Sequence, residues 1–190
     1  NGVSRFDGYD WKFFASSPSD STTMMSEWSG YVKTDENGDP WFAAEGGICH
    51  FVDSTESFEN FRHMDFYKGP GIGKTEVRML LPDLHGSIWC GTTALGLCRF
   101  DMKTRVFERR MGKSVSDPIE KDQTAIPVNV PDIDIGRDGL LWCAGFQEQM
   151  RHGRLYSFDP KTGDWRRHTF LGVHTDPKST LWHIAADNLV

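Results

Sequence analysis

The residues best equipped for chemistry lie in four segments that the rest of the sequence does not repeat. One of these, 146–152 (Phe-Gln-Glu-Gln-Met-Arg-His), puts Gln147, Glu148, Arg151 and His152 within six residues. An acid, a cation and an imidazole that titrates near neutral pH then share one loop. A histidine acting as base needs an acidic or metal-binding partner close by. His152 with Glu148, or with Glu45 from another turn, is the catalytic pair on offer. A solvated surface loop accounts for the same residues. Segment 16–29 carries Met24, Met25 and Trp28, and segment 63–76 carries Phe66, Tyr67 and Lys68. Trp28 and Tyr67 offer flat rings on which a sugar or an aromatic ligand stacks. Each ring would serve equally to cover the core beneath its linker. The fourth segment, 112–131, contains Ile119, Glu120, Lys121 and Asp122. The candidate ligand-binding set is therefore Trp28, Tyr67, Gln147, Glu148, Arg151 and His152.

Two further motifs resemble sites and fail on spacing. Gly69-Pro-Gly-Ile-Gly-Lys74-Thr75 has the flavour of a phosphate-binding loop, but Lys68 stands where that loop's first glycine belongs. The run after it, Val77-Arg-Met-Leu-Leu, reads as a strand, whereas the phosphate loop must open a helix whose N-terminus faces the anion. Asp35-Glu-Asn37-Gly-Asp39 looks calcium-like, yet Pro40 sits where the loop needs glycine and Gly46 where it needs its closing glutamate. A tight turn is sufficient. No metal and no cofactor is expected.

The elements that must carry these loops are stated most clearly from Asp83 to Phe107. Asp83-Leu-His-Gly86 is a polar turn, with glycine supplying the positive φ that other residues resist. Ser87 to Thr92 is an apolar run too short for a helix, and Leu97 to Asp101 alternates with period two. With Val77 to Leu81 before and Val106 to Arg110 after, four consecutive antiparallel strands are predicted. Trp41, Trp89, Trp142 and Trp182 recur at intervals of 40 to 53 residues, with Gly38, Gly86, Gly139 or Ser179 three positions earlier. Each tryptophan strand precedes a glycine, then a strand ending in Phe-Asp or a near match, then a polar turn and an aromatic: Phe58, Phe107 or Trp165. Self-similarity at this period with four strands per unit predicts an all-β fold, a β-propeller of about four blades.

Residues 1–15 match only the second half of a unit (Gly2, Phe6-Asp7, Trp11), and 173–190 only the first (Asp176, Leu181-Trp182). The expected domain is a single propeller over 1–190, with blades at 29–63, 77–111 and 132–170 and one blade joining 1–15 to 173–190. Such a blade removes free sheet edges. Three arrangements stay open: a ring closed within one chain, two chains paired as a homodimer, or a segment of a longer propeller.

Composition fits that architecture. The 190 residues are 38% hydrophobic and 13% aromatic, with 19 Gly and 9 Pro spread as punctuation rather than as a disordered tract. A net charge of −6 with no basic cluster beyond Arg109-Arg110 and Arg166-Arg167 argues against nucleic acid or an anionic membrane as partner. No apolar run reaches the length of a membrane span. Cys49, Cys90, Cys98 and Cys143 fall in predicted strands with no Cys-x-x-Cys pair, so they read as buried free thiols, with a Cys90–Cys98 cross-strand bridge as the alternative. His50, His168 and His183 also fall in strands and His85 in a turn on the far face, where structural roles are expected.

The unit Asp-x-x-Gly-x-hydrophobic-Trp, small residues, Gly, then hydrophobic-x-Arg-Phe-Asp resembles the two-component-regulator propeller repeat. Residues 83–101 match it closely and 2–7 match its second half. The resemblance implies a sensor domain outside the membrane, periplasmic or extracellular, of the kind found in bacterial hybrid histidine kinases, where ligands are often glycans. Those sensors carry many more blades, a transmembrane helix and kinase modules, none of which these residues supply. Propeller lyases that inactivate streptogramin antibiotics are similar in repeat. The expected function is therefore a non-catalytic ligand-binding or sensing module for a small molecule or glycan at the funnel loops. The competing readings are a lyase using His152 and Glu148, and a protein–protein assembly scaffold.

Overall fold

The computed structural model describes residues 2–62, 75–109, 129–146 and 154–168. These form strands and turns, with no helix among them. A hairpin of β1 (Gly2–Phe6) and β2 (Trp11–Ala15) leads into the first full sheet: β3 (Ser29–Thr34), β4 (Pro40–Ala44), β5 (Gly47–Val52) and β6 (Ser57–Arg62). The second sheet is β7 (Val77–Pro82), β8 (Ser87–Thr92), β9 (Leu97–Asp101) and β10 (Val106–Arg109). The third is β11 (Asn129–Ile135), β12 (Leu141–Phe146), β13 (Arg154–Phe158) and β14 (Trp165–His168). Within each of the three four-stranded sheets, strands pair in chain order and antiparallel. Neighbouring sheets approach one another chiefly through their first strands, β7 touching both β3 and β11. Sheets that meet at their first strands and fan outward are propeller blades, so the all-β propeller expectation is met. The strands expected at 173–190 lie outside the described residues.

The Asp…Gly…Trp spacing has a physical cause. Asp83 accepts from the backbone N–H of His85 and of Ser87, both at 2.9 Å, and from Trp89 Nε1 at 3.0 Å. Asp35 does the same with Asn37, Asp39 and Trp41 Nε1 at 2.9, 3.1 and 3.1 Å. One carboxylate thus closes the turn and fixes the indole of the following strand. Gly86 at φ +78° has nothing near its missing Cβ, so backbone conformation alone accounts for glycine there. In the third sheet Gly136 stands in place of the aspartate, and a Cβ there would lie 2.6 Å from Asp138 Oδ1 and 2.8 Å from Trp142 Nε1. The carboxylate of Asp35, which gave its segment a calcium-like look, is thus used by its own turn.

The Phe…aromatic spacing is a cross-strand pair. Phe51 faces Phe58, Phe100 faces Phe107 and Phe158 faces Trp165 across the outer two strands of each sheet. Ring centroids in these pairs are 5.2, 4.9 and 4.7 Å apart. Each pair packs on the preceding sheet: Phe51 meets Phe14 at 5.1 Å, Phe100 meets Trp41 at 5.7 Å, and Phe158 meets Trp89 at 5.6 Å. Among the described residues three apolar clusters, one per junction, form the core. The hairpin is clamped on its sheet by charge as well, with Arg5 on Asp53 at 2.6 Å and Lys12 on Glu56.

All four cysteines are free and buried. Burial pushes the Cys49 thiol up to about 11 and that of Cys98 to about 12. Cys90 and Cys143 are raised for the same reason, with Cys98 and Asp132 respectively as secondary causes. Cys90 and Cys98 face each other across β8 and β9. Counting back from the Thr92 N–H to Gly96 carbonyl bond at 3.0 Å, theirs is a hydrogen-bonded pair, the type whose side chains stand further apart. We expect no thiol to react with a disulfide reagent such as DTNB at neutral pH in the native chain, and four to react in denaturant. Two reactive thiols after denaturation would instead mean a bridge.

Candidate functional site

The blade-to-blade linkers and the turns between second and third strands share one face of a propeller, around its central funnel. On this face the structure builds a cluster from two adjacent blades. All three sheets shift register at the start of the first strand, between Ser29 and Tyr31, between Val77 and Met79, and between Asn129 and Asp132. A bulge inserts a residue that escapes the ladder and re-aims its side chain. In the third sheet Pro131, which has no N–H to lose, lies within the shift. In the first sheet the extra residue is Gly30, and in the second it is Arg78.

Trp28 lies against Gly30, where any Cβ would collide with the ring. The Arg78 guanidinium sits over the same indole, 5.2 Å from its centroid. Arg78 in turn meets Glu76 at 2.5 Å. Its side chain is 45% exposed, and Trp28 is 37% exposed, so both keep surface for a ligand. Linker and turns are tied together beneath them. Ser26 Oγ donates to the Trp28 carbonyl at 2.5 Å and accepts the Glu45 N–H at 3.3 Å. Glu45 and Glu76 form a backbone bridge, with Gly46 N–H on the Thr75 carbonyl at 3.0 Å. Glu76 N–H then bonds Thr93 Oγ1, and Thr93 N–H the Glu76 carbonyl, each at 3.0 Å. Further out, Arg109 Nε donates to the Leu95 carbonyl at 3.0 Å, and its buried Nη2 has no hydrogen-bond partner among the described residues.

The cluster offers a stacking ring (Trp28), a forked cation (Arg78) and carboxylates (Glu45, Glu76). That set can hold a polyhydroxylated or planar ligand by stacking and hydrogen bonds. Among the described residues no histidine stands here. His50 stacks on Trp41 at 4.5 Å, and His168 lies 4.6 Å from Trp142 with its Nε2 2.8 Å from Ser157 Oγ. Burial first, and Arg166 second, hold His168 below the ordinary imidazole range. No group of three or more acidic, histidine or cysteine side chains could hold a metal among the described residues.

Of the residues singled out in the sequence, Trp28 and Glu45 are placed on this face. Tyr67, Gln147, Glu148, Arg151 and His152 lie outside the described residues, as does the phosphate-loop look-alike at 69–74. Sequence reasoning passed over Arg78 and Glu76. The signal was a lone charge in the second position of the apolar run Val77-Arg-Met-Leu-Leu, where strict alternation had no place for it.

No protein-family model matches the chain, and no curated protein matches it. Solved structures match it in fold. One is described as the extracellular domain of a hybrid two component system, BT4673, from B. thetaiotaomicron, with TM-score 0.72 and 14% identity over 100% of this chain and 23% of that one. The corresponding domain of BT3049 from the same organism gives TM-score 0.60 and 12% identity, covering 82% of this chain and 19% of that one. An auxiliary nutrient binding protein from Bacteroides thetaiotaomicron gives TM-score 0.50 and 10% identity over 73% of this chain and 29% of its own. The chain therefore spans less than a third of each. At such identities the likeness establishes the propeller fold.

Proposed function

We propose that this chain is a non-catalytic ligand-binding or sensing propeller module, working in the periplasm or outside the cell. Its ligand is a small molecule or glycan held at the funnel face. The observation that carries this reading is the Trp28–Arg78–Glu76 cluster, a partly exposed ring and cation held by bulges on two blades. Extracellular two-component domains and a nutrient-binding protein share the fold, which favours the same class of role here. Gln147, Glu148, Arg151, His152 and Tyr67 are proposed to complete the site from the neighbouring loops.

The test is calorimetric titration with a panel of oligosaccharides, comparing wild type with Trp28→Ala and Arg78→Ala. Loss of the stacking ring should weaken binding about tenfold or more, equivalent to at least roughly 1.4 kcal/mol. Binding indifferent to both changes would reject this site. Turnover of a ligand that disappears in His152→Ala would instead favour the lyase reading.

A further inference from the structure

The positions of the repeat that pack or turn keep one residue type from blade to blade. Trp41, Trp89 and Trp142 align, as do Phe51, Phe100 and Phe158. Gly38, Gly86 and Gly139 all take positive φ in the same turn. One position breaks this rule completely. Two residues before the bulged one stand Trp28, Glu76 and Asn129, an aromatic, an acid and an amide. The bulged residues themselves are Gly30, Arg78 and Pro131. A position that packing does not fix in type is free to meet a ligand.

The register makes the three residues equivalent. Glu45, Thr93 and Phe146 each lie four residues after their strand tryptophan. Glu76 exchanges hydrogen bonds with Thr93, and Asn129 faces Phe146 in the same way across its own sheet. Glu76 also bridges Glu45 of the preceding blade, while Ser26 joins that turn to Trp28. The first strands are neighbours, with β7 between β3 and β11. A Cβ on Gly91 would stand 2.4 Å from the Val130 carbonyl oxygen, so the strand carrying Asn129 lies directly on the second blade. Trp28, Glu76 and Asn129 therefore follow one another, one per blade, around the funnel mouth.

Their chemistry is balanced in charge. Arg78 joins the first two members, over Trp28 at 5.2 Å and against Glu76 at 2.5 Å. Glu76 and Glu45 outnumber it, so these residues hold no surplus positive charge for an acidic ligand. They present donors in Arg78, acceptors in the carboxylates and both in the Asn129 carboxamide. Sugar hydroxyls donate and accept alike, and a sugar ring packs its apolar face on an indole.

Given the binding role argued above, we propose that Asn129 is a further ligand-binding residue of this face and that the ligand is a neutral oligosaccharide lying across three blades. One ring stacks on Trp28, and hydroxyls of the following rings meet Arg78, Glu76 and Asn129 in turn. Packed sheets stand about 10 Å apart. A ligand reaching from Trp28 to Asn129 crosses two junctions, more than one sugar ring spans.

The test is calorimetric titration of the whole chain with neutral gluco- and mannooligosaccharides of one to six rings, and with oligogalacturonates as acidic counterparts. A neutral saccharide of three or more rings should bind at least about tenfold tighter than its single sugar. Asn129→Ala should weaken the longer neutral saccharide by about three- to tenfold and the single sugar far less. Glu76→Gln keeps an acceptor but leaves Arg78 uncompensated, so it should shift preference toward the oligogalacturonate in a salt-sensitive way. Circular dichroism checks that each variant is folded. Should Asn129→Ala unfold, the length dependence and Glu76→Gln decide the matter. A single sugar that binds as tightly as the longest saccharide overturns the proposal, as does wild type that prefers the oligogalacturonate. Saccharide binding that falls in Trp28→Ala but is untouched by Asn129→Ala overturns it while the binding role of this face stands. If no saccharide binds, it is overturned too, and that binding role then survives only in a non-saccharide ligand lost in Trp28→Ala.

Discussion

Phe100→Ala should cost about 3–5 kcal/mol of folding stability, a large share of the roughly 5–15 kcal/mol expected of a domain. Phe100 is fully buried, with Trp41 at 5.7 Å, Phe61 at 4.9 Å and Phe107 at 4.9 Å around its ring. These neighbours belong to two sheets, so the cavity would open in a junction and not inside one blade. Rigid backbones on both sides limit collapse, which places the cost toward the upper part of that range. Urea unfolding followed by tryptophan fluorescence would measure it. A change under about 1 kcal/mol would mean that the junction between these sheets contributes little, contrary to its packing.

Asp83→Ala should destabilise by about 2–3 kcal/mol, because one carboxylate accepts three hydrogen bonds, one of them from a nearly buried indole. The Trp89 indole is 4% exposed overall, so its N–H would lose its acceptor with little access to water. Trp89→Phe removes the donor and leaves the two turn bonds intact. A double-mutant cycle between the two positions should therefore return a coupling of about 1 kcal/mol or more. Additive effects would show that the indole bond is incidental and that Asp83 serves only the turn. The third sheet supplies a natural control, since Gly136 leaves Trp142 without this carboxylate and Asp138 caps the turn through the Leu140 N–H at 3.0 Å.

Much of the fold was legible because its causes are local. The Asp…Gly…Trp spacing is a turn closed by its own carboxylate, and the Phe…aromatic spacing is a pair of residues facing each other across one hairpin. Both interactions span fewer than ten residues, so their periods survive in the sequence. The functional face was legible only in outline. Trp28 could be named because a large aromatic in a linker stands out. Arg78 could not, because its exposure depends on a bulge that breaks the alternation of β7. Its contact with Trp28 joins residues separated by a whole blade.

The sequence by itself determined that this chain is built of short antiparallel strands with aromatic pairs and carboxylate-closed turns. Those features follow from backbone sterics and from side chains a few positions apart. Only the tertiary structure decided which face of each sheet meets which neighbour. Period-two patterning shows that both faces of β8 are apolar, but not that Trp89 receives Phe158 while Phe100 lies on Trp41. Nor could it show that Phe6 and Trp11 are far more exposed than their counterparts. Burial between sheets is a property of surfaces brought together from distant parts of the chain, and no local spacing encodes it.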